Sequence, residues 1–152
     1  MSALQTLNLW LSALGGKLGT DLAPDNKGAC GLAFKNSIDI NISLDPENEI
    51  IHVVSVLYDL PKDTIKRHTL LIEAMRLNGG LAQTGSGALA ATPDNQGVMY
   101  CMACPIRDYD VKRFILAVDS FLGNSLSLRQ SLDNPGPSFY NAGPVAASGS
   151  IQ

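Results

Sequence analysis

Leucines at alternating intervals of three and four open the chain: Leu4, Leu7, Leu11, Leu14 and Leu18. That spacing predicts an amphipathic helix over Ser2–Leu18 with one sharp apolar seam. Ser2 and Gln5 stand in capping-box spacing at its start, where side chain and backbone satisfy each other's donors. Trp10 lies beside the seam and widens it. A single sheet covering the leucines is expected to leave the indole partly exposed, and an exposed apolar patch on a soluble protein marks a binding surface. Gly15, Gly16 and Gly19 are expected to loosen the last turns before a polar loop at 21–27.

The period then changes to two. Cys30, Leu32 and Phe34 alternate with Gly31, Ala33 and Lys35. After Asn36 and Ser37, residues Ile38, Ile40, Ile42 and Leu44 alternate with Asp39, Asn41 and Ser43. This predicts a hairpin with one dry face. Asp45-Pro46-Glu47-Asn48 is turn chemistry, and Ile50–Tyr58 is apolar on both faces, as suits a strand inside a layered fold. A three-stranded meander follows.

The stretch Leu60–Asn78, closed by Gly79 and Gly80, predicts a second helix, with Pro61 in its first turn and residues that tolerate left-handed backbone at its end. Lys62, Lys66, Thr69, Glu73 and Arg76 form one narrow polar stripe, while Leu70, Leu71, Ile72, Ala74, Met75 and Leu77 cover almost everything else. Such a helix needs cover on two sides. Its own sheet is one, and a second copy of the chain is the other. Leu70, Leu71, Ala74, Met75 and Leu77 are therefore candidate dimer-interface residues.

Gly87–Thr92 and Val98–Cys104 flank a polar loop and predict a second hairpin. Asp108 or Asp110 can cap a last helix whose face is Val111, Phe114, Ile115, Val118, Phe121, Leu122 and Leu126, with Gly123-Asn124 able to kink or end it. After Asp133 the chain carries no charge and too few apolar residues to build a packed unit. The expectation is a domain over 1–132 and a flexible tail over 133–152. The order of elements predicts an α+β fold: helix, three strands, helix, two strands, helix, with the helices packed on a twisted antiparallel sheet.

Charge narrows the function. A net charge of -3 gives no basic field for nucleic acid or an anionic membrane surface. No run approaches the ~20 apolar residues of a membrane span, and the N-terminus lacks a signal-peptide pattern, so no membrane insertion and a cytoplasmic location are expected. Cys30, Cys101 and Cys104 are too few for a secreted disulfide framework. Cys101 and Cys104 have the spacing of a metal or redox pair, but three residues apart on a strand they point to opposite faces. No metal and no other cofactor are expected. Gln83-Thr-Gly-Ser-Gly-Ala is Gly-rich without the Gly-Lys-Ser/Thr of a phosphate loop. A nucleophilic pair of Cys30 and His52 is left open by the sequence, although neither sits in a catalytic motif.

Further motifs fall in a fixed order: Leu11-Ser-Ala-Leu14-Gly15 with Leu18-Gly19; Gly28-Ala-Cys30-Gly-Leu32-Ala-Phe34; Leu60-Pro61; Leu70-Leu71 with Leu77-Asn78; and Gly87-Ala-Leu89. Pro105-Ile106-Arg-Asp-Tyr109-Asp110 follows, and then Leu128-Arg129-Gln-Ser-Leu132. Together, over roughly Leu4 to Leu132, they resemble the class I chaperones of bacterial type III secretion, the Tir chaperone (CesT) family. The last two look like that family's Pro-Leu-x-x-Leu-Asp and Trp-Arg-x-x-Leu, with Leu128 in place of Trp. The resemblance implies a non-enzymatic homodimer, joined through the second long helix. It implies a chaperone that binds the N-terminal chaperone-binding region of a secreted effector, keeps it partly unfolded and delivers it to the secretion apparatus, whose ATPase is a further partner. No nucleotide or cofactor is needed for this in the bacterial cytoplasm. Carried onto this chain, the client contacts are Leu7, Trp10, Leu11 and Leu14, with Leu32, Phe34, Ile38, Ile40 and Ile42 as a sheet component. The neutral stretch from Pro135 departs from the family pattern. The alternatives are a protein-binding module of the same fold without a secretion role, and a small Cys-dependent enzyme.

Overall fold

The structure, a computed structural model, describes residues 1–80 and 84–134. These form α1 (Ala3–Leu18), β1 (Ala29–Ala33), β2 (Asp39–Asp45), β3 (Ile50–Asp59), α2 (Thr64–Gly79), β4 (Ala88–Ala91), β5 (Gly97–Pro105), a 3-10 turn (Ile106–Asp108) and α3 (Val111–Asp133). The order is the one predicted, and the class is α+β. One antiparallel sheet runs β1-β2-β3-β5-β4. The stretch from Pro135 onward, expected to be a flexible tail, lies outside the described residues.

Local chemistry accounts for the element ends. At the start of α1, Ser2 Oγ accepts from Gln5 N–H at 3.2 Å and Gln5 Oε1 accepts from Ser2 N–H at 2.8 Å, the reciprocal cap that the sequence implied. Gly15 and Gly16 do not loosen the helix. A Cβ on Gly15 would collide with the Thr20 carbonyl oxygen, so this glycine lets the chain fold back tightly after left-handed Gly19. α2 starts later than expected. Asp63 caps it by accepting from Lys66 N–H at 2.9 Å, while Leu60 N–H donates to Gln96 O at 2.7 Å and ties that residue to the β4–β5 turn. Nor does Gly123-Asn124 end α3. Asn124 donates to Tyr100 Oη at 3.3 Å, and the helix continues because Phe121, Ser125, Leu128 and Leu132 are buried.

The core sits under one face of the sheet. Leu32, Ile40, Ile42, Ile51, Val53, Tyr100, Met102 and Cys104 form its floor, and α1 and α3 pack side by side over it. Trp10 meets Phe114 with ring centroids 5.3 Å apart, and Tyr100 stacks on Phe121 at 4.6 Å. Each such pair contributes roughly 0.5–1.5 kcal/mol beyond burial alone. Leu57 is the extra residue of a β-bulge, since Val56 pairs with Met99 and Tyr58 with Val98.

α2 packs along β4 and touches α3. Its faces differ from the expected stripe. Leu70, Ala74 and Leu77 point inward together with Glu73, whose carboxylate stays buried because Arg76 donates two hydrogen bonds to it, one from Nε at 2.9 Å. The outward face carries Ile65, Ile72 and Met75.

Candidate functional site

Beside the last turns of α1, the first half of α3 leaves a cleft of about 290 Å³. Leu14, Leu18, Phe34, Ile115, Leu116, Val118 and Leu122 line it, with Lys17 and Asp119 among them. A second cleft of about 350 Å³ lies along β1, lined by Leu18, Thr20, Leu22, Leu32, Phe34, Lys35 and the strand residues Gly31 and Ala33. Leu18 and Phe34 line both clefts, so the two lie side by side and are described together as one trough. Leu18 is 44% exposed and Leu116 is 58% exposed, as are Leu4 and Leu9 outside the trough at 45% and 54%. Leu18 and Leu116 are the side chains that a ligand in the trough would cover.

The trough ends on a free strand edge. Gly28 O accepts from Leu44 N–H at 2.9 Å and Phe34 N–H donates to Ile38 O at 3.0 Å. By the alternation of an antiparallel ladder, Gly28, Cys30, Leu32 and Phe34 face β2, and Ala29, Gly31 and Ala33 face away. Asp25 takes up Ala29 on that outer side: its Oδ1 accepts from Ala29 N–H at 2.9 Å, and its own N–H donates to Ala29 O at 2.8 Å. The backbone N–H donors of Ala29 and Lys27 hold the Asp25 carboxyl below its ordinary range. Beyond it, among the described residues β1 has a strand neighbour on one side only. The N–H and C=O groups of Gly31 and Ala33 therefore point out of the sheet beside an apolar trough, and among the described residues they have no strand partner, Gly31 O taking only a long contact of 3.9 Å from Cys30 Sγ.

Of the nine candidate client contacts, Leu14, Leu32 and Phe34 line the trough. Leu7, Trp10, Leu11, Ile38, Ile40 and Ile42 pack inside the chain. The expectation that Trp10 stays partly exposed is corrected: it is 6% exposed, because α3 covers the flank of α1 and supplies Phe114 as its partner. Sequence reasoning missed Leu18, Leu22, Ile115, Leu116 and Leu122 as trough residues. Leu116 had a legible signal, an apolar residue lying off the apolar face of an otherwise amphipathic helix.

Cys30 and His52 do not meet. Cys30 pairs with Ile42, Ile42 with Val53, and His52 is the next residue on β3, so the pleat places His52 on the opposite face. Cys101 and Cys104 likewise point to opposite faces of β5, as their spacing predicts; the first donates to Ala88 O and the second is buried. Burial pushes all three thiols above their ordinary range, away from the thiolate that nucleophilic chemistry or metal ligation uses. Among the described residues no cluster of His, Cys, Asp and Glu is placed to hold a metal ion. No helix among them is long and apolar enough to cross a membrane.

A second apolar surface lies on α2. Ile65, Ile72 and Met75 share its outward face, with Ile72 57% and Met75 73% exposed. Of the five candidate dimer residues only Met75 is fully outward. Leu71 is half-buried, and Leu70, Ala74 and Leu77 face inward because α2 lies against β4 and α3.

The sequence profile of the Tir chaperone protein (CesT) family matches residues 10–129. Among solved structures, a chain of the ExsC–ExsE complex is similar at 14% identity, over 91% of this chain and 99% of that one, with a TM-score of 0.67. A chain of the HopA1–SchA chaperone–effector complex is similar at 16% identity, over 82% and 94%, with a TM-score of 0.59. A chain of the complex of the Yersinia pestis type III secretion chaperone SycH with a stable fragment of YscM2 gives 14% identity, 81% and 99% coverage and a TM-score of 0.59. At these identities the likeness is one of fold. No curated protein sequence matches the chain.

Proposed function

This chain belongs to the Tir chaperone protein (CesT) family, whose profile spans residues 10–129, and on that premise we propose that it is a homodimeric type III secretion chaperone. Its client is the N-terminal region of a secreted effector, held extended and partly unfolded for delivery to the secretion apparatus and its ATPase in the bacterial cytoplasm. The observation that carries this reading is the continuity of the apolar trough with the unpaired edge of β1.

An extended client supplies what that surface lacks. Its backbone pairs with Gly31 and Ala33, each hydrogen bond contributing about 1 kcal/mol net. Alternate apolar side chains fall into the trough against Leu18, Phe34 and Leu116, gaining roughly 25 cal/mol for each Å² of apolar surface covered. A folded protein offers free strand groups only at an exposed sheet edge, whereas an unfolded segment offers them along its length, so the geometry favours an unfolded segment. It requires no chemical step, which agrees with the burial of Cys30 and Cys104 and the separation of Cys30 from His52. The outward face of α2, with Ile65, Ile72 and Met75, is where a second copy packs.

The test is affinity capture from the native cell with the unmodified chain and with a Leu18→Asp/Leu116→Asp variant, followed by identification of what co-purifies. Both leucines are substantially exposed, and circular dichroism matching that of the unmodified chain is required of the variant before capture. The expected result is the loss of a co-purifying secreted protein. An unchanged set of captured proteins would remove the trough as the client site.

A further inference from the structure

We propose that Arg129 is a positioning residue for client binding: it ties the β1–β2 turn to α3 and so holds Phe34 and the free edge of β1 where an extended client meets them. This rests on the reading of the trough as the client site.

The turn between β1 and β2 has little to hold it from within. It closes with Phe34 N–H donating to Ile38 O at 3.0 Å and Ser37 N–H donating to Phe34 O at 3.1 Å. Ser37 takes a φ of 64°, in the left-handed region that glycine enters freely and a residue with a Cβ enters at a cost. Asn36 and Ser37 are exposed, so packing gives them little support.

Arg129 supplies that support. Its Nη1 donates to Ser37 O at 2.9 Å and its Nη2 to Asn36 O at 2.8 Å, two charge-assisted bonds from one planar fork. These carbonyls belong to the peptide planes on either side of the Ser37 Cα, so the fork fixes the left-handed step itself. Among the described residues they are the only hydrogen bonds from α3 to the β1–β2 hairpin. Leu128 and Leu132, beside Arg129, are buried, so the helix is fixed at this point and the turn is the part that would give.

The tie reaches the trough through Phe34, which opens the turn and lines both clefts. Leu122, on the α3 wall, stands seven residues before Arg129 (129 − 122), about 10 Å along the same helix at ~1.5 Å per residue. Wall and tie thus belong to one rigid element, and the two bonds set how far Phe34 stands from that wall. The strand edge is served in the same way. Asp25 holds β1 at Ala29 and Arg129 holds the turn after Ala33, so Gly31 and Ala33 lie between two anchors. An edge kept extended before the client arrives leaves less ordering to be done on binding.

In the full-length Arg129→Ala variant, the amides of Phe34 and Ser37 should exchange at least about tenfold faster than in the unmodified chain, while those of β3 and β5 are unchanged. A fluorescein-labelled decapeptide of alternating leucine and serine, read by anisotropy, is the binding probe. The variant should bind it at least about tenfold more weakly, and Leu116→Asp in the otherwise unmodified chain should abolish its binding. Adding Ser37→Gly to Arg129→Ala should recover about fivefold in affinity, since glycine closes the turn without the tie. A role confined to the stability of α3 would not respond to a change in the turn. Arg129→Lys, which keeps the charge but not the fork, should also lose affinity and takes the place of the alanine variant if that one unfolds. Unchanged exchange at Phe34 and Ser37, undiminished peptide binding, or no recovery with Ser37→Gly overturns the proposal. Failure of the client reading looks different. If the peptide binds the unmodified chain and responds to Leu116→Asp but not to Arg129→Ala, positioning alone is wrong and the client site stands. If it binds no chain, or binds indifferently to Leu116→Asp, the client site and the proposal fall together.

Discussion

Asn78, the penultimate residue of α2, occupies both backbone groups of Leu89 in β4: its Nδ2 donates to Leu89 O at 2.7 Å and its Oδ1 accepts from Leu89 N–H at 2.7 Å. The carboxamide stands where a further strand would pair, so this edge of the sheet is closed by the chain's own helix. At the opposite edge, Gly31 and Ala33 have no such neighbour among the described residues. One asymmetric sheet results, and it can be extended from β1 far more readily than from β4.

Replacing Asn78 with Ala leaves the N–H and C=O of buried Leu89 without partners. A cost of roughly 1–3 kcal/mol is expected, the usual desolvation penalty of orphaned buried groups. Urea unfolding should show a lower midpoint with an unchanged slope. A midpoint equal to that of the unmodified chain would mean that β4 finds other partners.

Trp10→Ala removes the indole that packs between α1 and Phe114, so its main effect falls on the fold. The expected loss is about 3–5 kcal/mol, the range for large-to-small changes in a core. In the unmodified chain, acrylamide should quench this single tryptophan poorly, and strongly only after unfolding. A stable Trp10→Ala protein with near-native unfolding would contradict the packing described above.

On α2, Ile72→Asp with Met75→Glu places two charges on the outward face and touches nothing in the core. If that face joins two copies, light scattering should show the variant as a monomer where the unmodified chain is a dimer. The dissociation constant should rise at least tenfold, or by ~1.4 kcal/mol. Circular dichroism should be unchanged. A monomeric unmodified chain at micromolar concentration would end the homodimer proposal.

Asp25 organises the entry into β1, and its carboxyl titrates below the ordinary value of 3.8 when folded. A depressed folded pKa means that its stabilisation is present above the unfolded pKa and disappears as the pH falls through the lower, folded one. Asp25→Asn should therefore unfold at lower urea concentration than the unmodified chain near pH 7, and the gap should close as the pH falls below the ordinary carboxylate range. A gap that stays constant across that range would assign the effect to shape and not to charge.

Much of the fold was legible in the chain because its signals are local. The leucine period of α1 with its Ser2–Gln5 cap, the two-residue alternation of β1 and β2, and the turn residues between strands each act over a few positions. They settle element type and order without reference to the rest of the molecule. The charge weighed against a nucleic-acid partner on the same terms, and the ordered motifs led to the family.

Where the faces point depended on tertiary packing. Period alone cannot say what lies against a helix, so it could not foresee that α3 would cover Trp10, or that Arg76 would let Glu73 turn inward while Ile72 and Met75 turn out. The trough joins Leu18 on α1, Phe34 after β1 and Leu116 on α3, residues about a hundred positions apart, and no local pattern links them. Residues with the same apolar character became core where two elements met and stayed open where a third was missing, because burial depends on what packs above a side chain.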